Sequence, residues 1–192
     1  MGKRIFDCVC ASLGLIVVSP LLLLFAIAVK LSSQGPVFFR QERIGKDFRA
    51  FEIIKFRTMH EGMDGPPITA RGDRRVTAFG RLLRRTKMDE LPQLWNVVKG
   101  EMSLVGPRPE VRKYVERFRE DYEEILEARP GITDEASIIF RREDALLASA
   151  ADPEQKYVID ILPKKIAMAK DYVRYRSFAG DFALILRTIA HL

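Results

Sequence analysis

The run Cys8–Val29 holds 22 residues without a single formal charge, between Lys3-Arg4 and Lys30. No other stretch restricts the chain as much. A straight helix of that length rises about 33 Å, against roughly 30 Å for a bilayer hydrocarbon core. A single spanning anchor is therefore the simplest reading. A signal peptide fits less well, because no small-x-small cleavage site follows and the run is long for such a segment. Ser19-Pro20 complicates the straight span. Proline in mid-run removes one hydrogen bond and kinks the helix, while the Ser19 hydroxyl can satisfy the freed carbonyl. The arms Cys8–Ser19 and Pro20–Val29 are then about 18 and 15 Å long, each suited to one leaflet. Cations flank both ends, Lys3 and Arg4 before, Lys30, Arg40, Arg43 and Lys46 after, and so both ends favour the cytoplasmic side. A helix that enters and leaves by one face accommodates the break and the charges, and on the residues alone it competes evenly with a full span.

The length, 192 residues, suits one domain with a real core. Net charge is +6, so the expected partners are anionic: nucleic acid, anionic lipid or a phosphorylated ligand. Cys8 and Cys10 lie two apart in the apolar run, neither a redox nor a zinc pattern, and suggest a reduced chain. His60 and His191 have no ligand-spaced partners, which argues against a histidine metal site.

From Arg84 to Pro109 the sequence concentrates chemistry. Arg84, Arg85 and Lys87 stand ahead of an acidic pair, Asp89-Glu90. A short apolar helix is expected next, with Pro92 in its first turn and Gly100 just past its end. Pro107 and Pro109 then hold Arg108 in a stiff loop. Acidic residues in a first turn are common in ordinary helices, where they complement the macrodipole. Ringed by guanidinium groups, such a pair also suits phosphate chemistry. Carboxylates can hold Mg²⁺ or act as a nucleophile, while arginines and helix ends hold phosphoryl oxygens.

Elsewhere the chain reads as connected small elements. Val37-Phe38-Phe39 and Phe51–Ile54 suggest two short strands joined by a turn over Arg43–Asp47. Glu61–Asp73, rich in glycine and proline, reads as a loop. Val76–Arg85 has helical spacing, and so, more strongly, does Glu110–Ala128, as one structural helix without chemistry. Arg129-Pro130-Gly131-Ile132 fits a type II turn. Tyr157–Arg174 is expected mostly helical with Pro163 inside it. Phe178, Phe182, Ile185 and Ile189 form a final apolar face that suits a membrane interface as well as a protein core.

Several blocks together resemble the bacterial sugar transferases, the monotopic phosphoglycosyl transferases. These are Gly35–Gly45, Lys55-Phe56-Arg57-Thr58-Met59, Asp89–Val97, Lys99–Ser103, Gly106-Pro107-Arg108-Pro109 and Arg129–Thr133, in that order. After Thr133 the chain departs from the commonest pattern, a Gly-Trp-Ala-Gln-like strand and an Asn-Gly-Arg segment. Asp134–Glu143 stands there instead, in a region expected to shape the nucleotide-sugar pocket.

The resemblance implies a mostly helical α+β fold. Residues 1–32 would form a re-entrant membrane helix broken at Ser19-Pro20. Residues 33–192 would form a catalytic domain with amphipathic interfacial helices and a small β-hairpin around a cytoplasmic active site, on the bacterial inner membrane. The implied reaction moves a sugar-1-phosphate from a UDP-sugar to polyprenyl (undecaprenyl) phosphate and releases UMP, the first membrane step of a bacterial glycoconjugate. Asp89 would be the nucleophile and Glu90, with Asp89, the Mg²⁺ site. Arg84 and Arg108 match positions that hold phosphate, and Lys55, Arg57 and Arg129 are further candidates. A nucleic-acid-binding protein would share the basic balance but would not need the apolar run. A membrane scaffold would explain that run and leave Asp89-Glu90 and the Pro-Arg-Pro loop without a purpose. The motifs specify no oligomeric state.

Overall fold

The computed structural model describes residues 2–63, 65, 68, 69 and 72–191. Of the loop expected over 61–73, Asp64, Pro66, Pro67, Ala70 and Arg71 lie outside the described residues. The architecture is α+β and mostly helical, as the sequence implies, with two small two-stranded sheets.

The apolar run becomes one helix, α1 (Gly2–Ser32), continuous through Ser19-Pro20. The two expected arms are thus a single element. Pro20 cannot donate to the Ile16 carbonyl, and the Ser19 hydroxyl donates to it instead at 2.8 Å, as the residue types suggest. Among the described residues α1 is the one helix long and apolar enough to cross a membrane. Leu13, Ile16, Val17, Leu23 and Leu24 are exposed along it.

Both ends of α1 are held by the same globular body. Near its start, Arg4 donates to the carbonyls of Val97 (2.6 Å) and Val98 (2.9 Å) in α3 (Leu94–Lys99). Ala11 packs against Ile53, Val97 and Met102. Near its end, Val29 packs with Phe56 and Leu83. Each of those three side chains, fully buried, contributes about 1.5–3 kcal/mol. Arg57 donates to the carbonyls of Val29 (3.4 Å) and Ser33 (2.7 Å), groups that a helix end leaves without partners.

The expected hairpin is present and longer than predicted. Strands β1 (Phe38–Ile44) and β2 (Ala50–Phe56) pair antiparallel, from Phe38 opposite Phe56 to Ile44 opposite Ala50. Gly100 ends α3 with φ 90°, as a helix-stop glycine should.

The Arg129–Ile132 turn is a correction. A type II turn needs positive φ at Gly131, and Gly131 has none; it opens a strand, β4 (Gly131–Thr133), parallel to β3 (Ser103–Val105). Glycine is required there for close approach, because a Cβ on Gly131 would lie 2.1 Å from the Gly106 nitrogen. This contact seats the loop that carries Arg108.

The single helix expected over Glu110–Ala128 is two, α4 (Arg112–Arg117) and α5 (Arg119–Ile125), broken at Phe118 (φ −118°, ψ 39°). No proline or glycine marks the break. The apolar spacing is nonetheless informative: Tyr114, Val115, Tyr122, Ile125 and Leu126 all enter the main core. The departing segment forms α6 (Glu135–Ile139), followed by α7 (Glu143–Ala148) and α8 (Pro153–Lys156). A π-helical turn, Tyr157–Ile161, runs directly into α9 (Leu162–Tyr175), so the helix expected over Tyr157–Arg174 is present with Pro163 inside it, in the first turn of α9. Helix α10 (Phe178–Ala190) exposes Phe178, Phe182, Leu186 and Ile189. It joins α1 through an edge-to-face contact of Phe6 and Phe178, with centroids 5.1 Å apart.

Candidate active site

Two supports bring the acidic pair into place. Helix α2 (Ala78–Arg85) is capped by Thr77, whose hydroxyl accepts from Gly80 N at 2.8 Å. Gly80 rests on Thr58 so closely that a Cβ would lie 2.1 Å from the Thr58 carbonyl oxygen. Farther along α2, Arg84 Nε donates to Thr58 Oγ1 at 2.8 Å. The chain then reverses at Lys87, which is left-handed (φ 57°), into the 3₁₀ turn Met88–Gln93. Asp89 and Glu90 therefore sit in a tight turn just before α3, not in α3 itself.

Asn96 supplies the second support. Its buried side chain accepts from Ile54 N (3.2 Å) and donates to the Glu52 carbonyl (2.7 Å), sewing α3 to β2. Lys55, next along β2, consequently meets Glu90: Nζ to Oε1 is 2.7 Å. Arg108 reaches the same oxygen at 2.7 Å and Glu90 Oε2 at 3.4 Å. Its own backbone N donates to Asp134, which also caps α6.

Asp89 and Glu90 are both about 8% exposed, but they differ in what they touch. Glu90 has two cations on it. Burial alone would raise its pKa, yet Arg108 and Lys55 outweigh burial and hold it well below the usual carboxylate value. Asp89 Oδ1 is buried without a hydrogen-bond partner. Burial, then the adjacent Glu90 charge, raises the Asp89 pKa against the pull of Lys55, Arg84 and Lys87. Burial likewise lowers the pKa of Lys55 and of Arg84, while the Glu90 charge raises that of Arg108. Neighbouring carboxylates pushed apart in this way take different roles.

Asp89, Glu90, Lys55, Arg57, Arg84 and Arg108 all line one cleft of about 1930 Å³. Arg129 does not: it donates to the Gly100 carbonyl at 3.0 Å. Ser19 and Pro20 lie on α1 and also outside the lining. The segment running from α6 into α7 contributes to the lining through Ala136, Ser137, Phe140 and Arg141. Sequence reasoning missed Thr58, Glu110 and Tyr157 as individual site residues. Thr58 lies inside one of the motif blocks, and Glu110 stands directly after Pro109. Tyr157 is 47 residues from Glu110, its hydrogen-bond partner, and nothing local could flag it.

Among the described residues no three His, Cys, Asp or Glu side chains cluster as a metal cage. The acidic pair still suits Mg²⁺, which binds through one or two carboxylates and takes its remaining oxygens from water and phosphate. Asp89 Oδ1 has no partner, and Glu90 Oε2 has only the long contact to Arg108. A buried carboxylate oxygen, two hard acceptors and a surrounding wall of cations suit capture of a phosphoryl group and attack on it.

Comparison with known proteins agrees with this chemistry. The chain is 40% identical to a UDP-glucose:undecaprenyl-phosphate glucose-1-phosphate transferase of Caulobacter vibrioides, over 100% of this chain and 70% of that protein. It is 43% identical to a UDP-N-acetylgalactosamine-undecaprenyl-phosphate N-acetylgalactosaminephosphotransferase of Aeromonas hydrophila, over 97% of this chain and 42% of that one. It is 35% identical to the exopolysaccharide production protein ExoY of Rhizobium meliloti, over 98% and 84%. The chain thus spans less than half the length of some relatives and most of others. The family model for bacterial sugar transferases matches residues 1–192, and the chain belongs to that family.

Proposed function

We propose that this protein transfers a sugar-1-phosphate from a UDP-sugar to polyprenyl phosphate through a covalent intermediate on Asp89. The observation that carries the reading is the buried, unpartnered Asp89 Oδ1 in a cleft walled by Lys55, Arg84, Lys87 and Arg108. In the first step an Asp89 oxygen attacks the sugar-bearing phosphorus. The bond from that phosphorus to the bridging oxygen breaks, and UMP leaves with the oxygen. In the second step a phosphate oxygen of the lipid attacks the same phosphorus, the bond to Asp89 breaks, and the carboxylate is restored. One hard displacement becomes two easier ones. Arg84 and Arg108 hold phosphoryl oxygens and stabilise the charge that grows on them. Lys55 keeps Glu90 ionised and in place. Mg²⁺, held by Glu90 and Asp89, would neutralise diphosphate charge when bound.

The lipid acceptor agrees with the placement of α1. Both of its ends are fastened to one folded body, whereas a straight span would put them on opposite sides of a bilayer. Its exposed apolar middle, with the apolar face of α10, favours insertion from one side, with Pro20 as the bend and residues 33–192 on the cytoplasmic surface of the inner membrane. Purified protein in detergent, given UDP-glucose or UDP-N-acetylgalactosamine with Mg²⁺ and polyprenyl phosphate, should release UMP. Full activity in Asp89→Asn would reject the assignment.

A further inference from the structure

The catalytic turn accounts for phosphate and leaves open what holds the rest of a sugar-phosphate donor. Of the buried carboxylates among the described residues, three line the cleft: Asp89, Glu90 and Glu110. The other acidic groups in the lining are less suited. Asp73 is paired with Arg75, Glu143 with Lys165, and Asp144 and Glu61 are exposed.

Glu110 is built in from three sides. Its backbone carbonyl accepts from Ile44 N at 3.0 Å, which places it against the end of β1. Arg43, the preceding residue on that strand, has NH1 3.6 Å from Glu110 Oε2. The Tyr157 hydroxyl donates to Glu110 Oε1. Burial first, and Glu110 next, raise the Tyr157 pKa, so this hydroxyl remains a donor. Tyr157 opens the π-helical turn between α8 and α9, an irregularity that recurs at functional sites, and it lines the cleft. Arg43 Nε is buried without a partner.

Glu110 stands two residues beyond Arg108, so their Cα atoms are at most about 7 Å apart. Both line the same cleft, and Arg43 feels the charge of each, so a sugar joined to a phosphate on Arg108 would lie on the Glu110 side of the cleft. A carboxylate fixed by a tyrosine, beside a guanidinium with a donor to spare, presents acceptor and donor together. Neutral sugar hydroxyls need both.

We propose that Glu110, oriented by Tyr157 and flanked by Arg43, binds hydroxyl groups of the donor sugar and sets the preference for the sugar over the bare nucleotide. The inference rests on the UDP-sugar reading above. It is tested by equilibrium binding of UDP, UDP-glucose, UDP-galactose and UDP-N-acetylgalactosamine to the full chain in detergent, in an Asp89→Asn background so that donors are not consumed. At least one UDP-sugar should bind more tightly than UDP. Adding Glu110→Gln should weaken that sugar roughly 10- to 100-fold, as expected for a lost hydrogen bond to a charged group, and leave UDP unchanged. Tyr157→Phe keeps the ring and removes only the hydroxyl; it should give a smaller loss of the same selectivity and stands in if Glu110→Gln does not fold. Equal weakening of UDP and UDP-sugar would mark Glu110 as structural and overturn the inference, as would an unchanged preference. Failure of UDP and every UDP-sugar to bind the parent background would remove the donor reading, and this inference with it.

Discussion

Among the described residues, two pairs of buried carboxylates lie close together, Asp7 with Asp181 and Asp89 with Glu90, and they are treated in opposite ways. Asp7 and Asp181 join α1 and α10 to the body. Asp7 accepts from the Ser103 hydroxyl (2.6 Å) and Leu104 N (3.4 Å). Asp181 accepts from Lys3 (2.5 Å) and the Tyr172 hydroxyl (2.8 Å). Each of the four oxygens has a partner. In the other pair Glu90 has two cations and Asp89 has an oxygen with none. A buried carboxylate whose partners all come from the body of the fold can serve structure alone, whereas an unpaired one stores a cost that a ligand or a reaction relieves. The first pair positions α1 and α10; the second is the pair that the proposed chemistry uses.

Asp89→Asn breaks the contrast most severely. UMP release should fall ~10⁴-fold or more, in line with removal of a nucleophile, while thermal unfolding at neutral pH shifts upward because an ionised buried group has gone. Glu90→Gln should do something different. It leaves the partly buried Lys55 and Arg108 without their anion, so it should cost about 1.5–3 kcal/mol of stability, read by denaturant unfolding, as well as activity. Asp7→Leu strands Ser103 and Leu104 N and should cost about 1–3 kcal/mol, with activity per folded molecule close to wild type. If Asp7→Leu abolished activity in a well-folded protein, the division between structural and chemical pairs would fail.

The smallest effect is in pH dependence. Glu90 has a depressed folded pKa, so its contribution to stability is present above its ordinary 4.5 and is lost as pH falls through the folded value. Asp89 has a raised folded pKa, so its contribution is present below its ordinary 3.8 and is lost as pH rises through the folded value. Asp89→Asn should accordingly be more stable than wild type at neutral pH, with the gap closing on acidification. UMP release by the wild type should decline as pH falls through the Asp89 value.

The sequence was most legible where the physics is local. The apolar run, the Ser19 hydroxyl on the freed Ile16 carbonyl, the Gly100 stop and the hairpin all stem from neighbouring residues. The gathering of Asp89, Glu90, Lys55, Arg57, Arg84 and Arg108 into one cleft was legible too, though from motif resemblance rather than from spacing. The features that escaped depend on contacts distant in sequence. Gly131 suits a turn locally, and its packing on Gly106 makes it a strand. The break at Phe118 has no local breaker, and the approach of Tyr157 to Glu110 is set by the core that buries Val158 and Ile161. Arg129 was carried along with its motif, and its side chain turns to Gly100.

The proposed chemistry depends most on Asp89 being the atom donor in a covalent step. The direct measurement is intact-protein mass spectrometry, with peptide mapping, after incubation with a UDP-sugar that the protein turns over and without polyprenyl phosphate. The expected result is one sugar-phosphate added at Asp89, release of one UMP per adduct, and loss of the adduct when polyprenyl phosphate is supplied. Turnover of the donor with no adduct, or with the adduct on another residue, would contradict it.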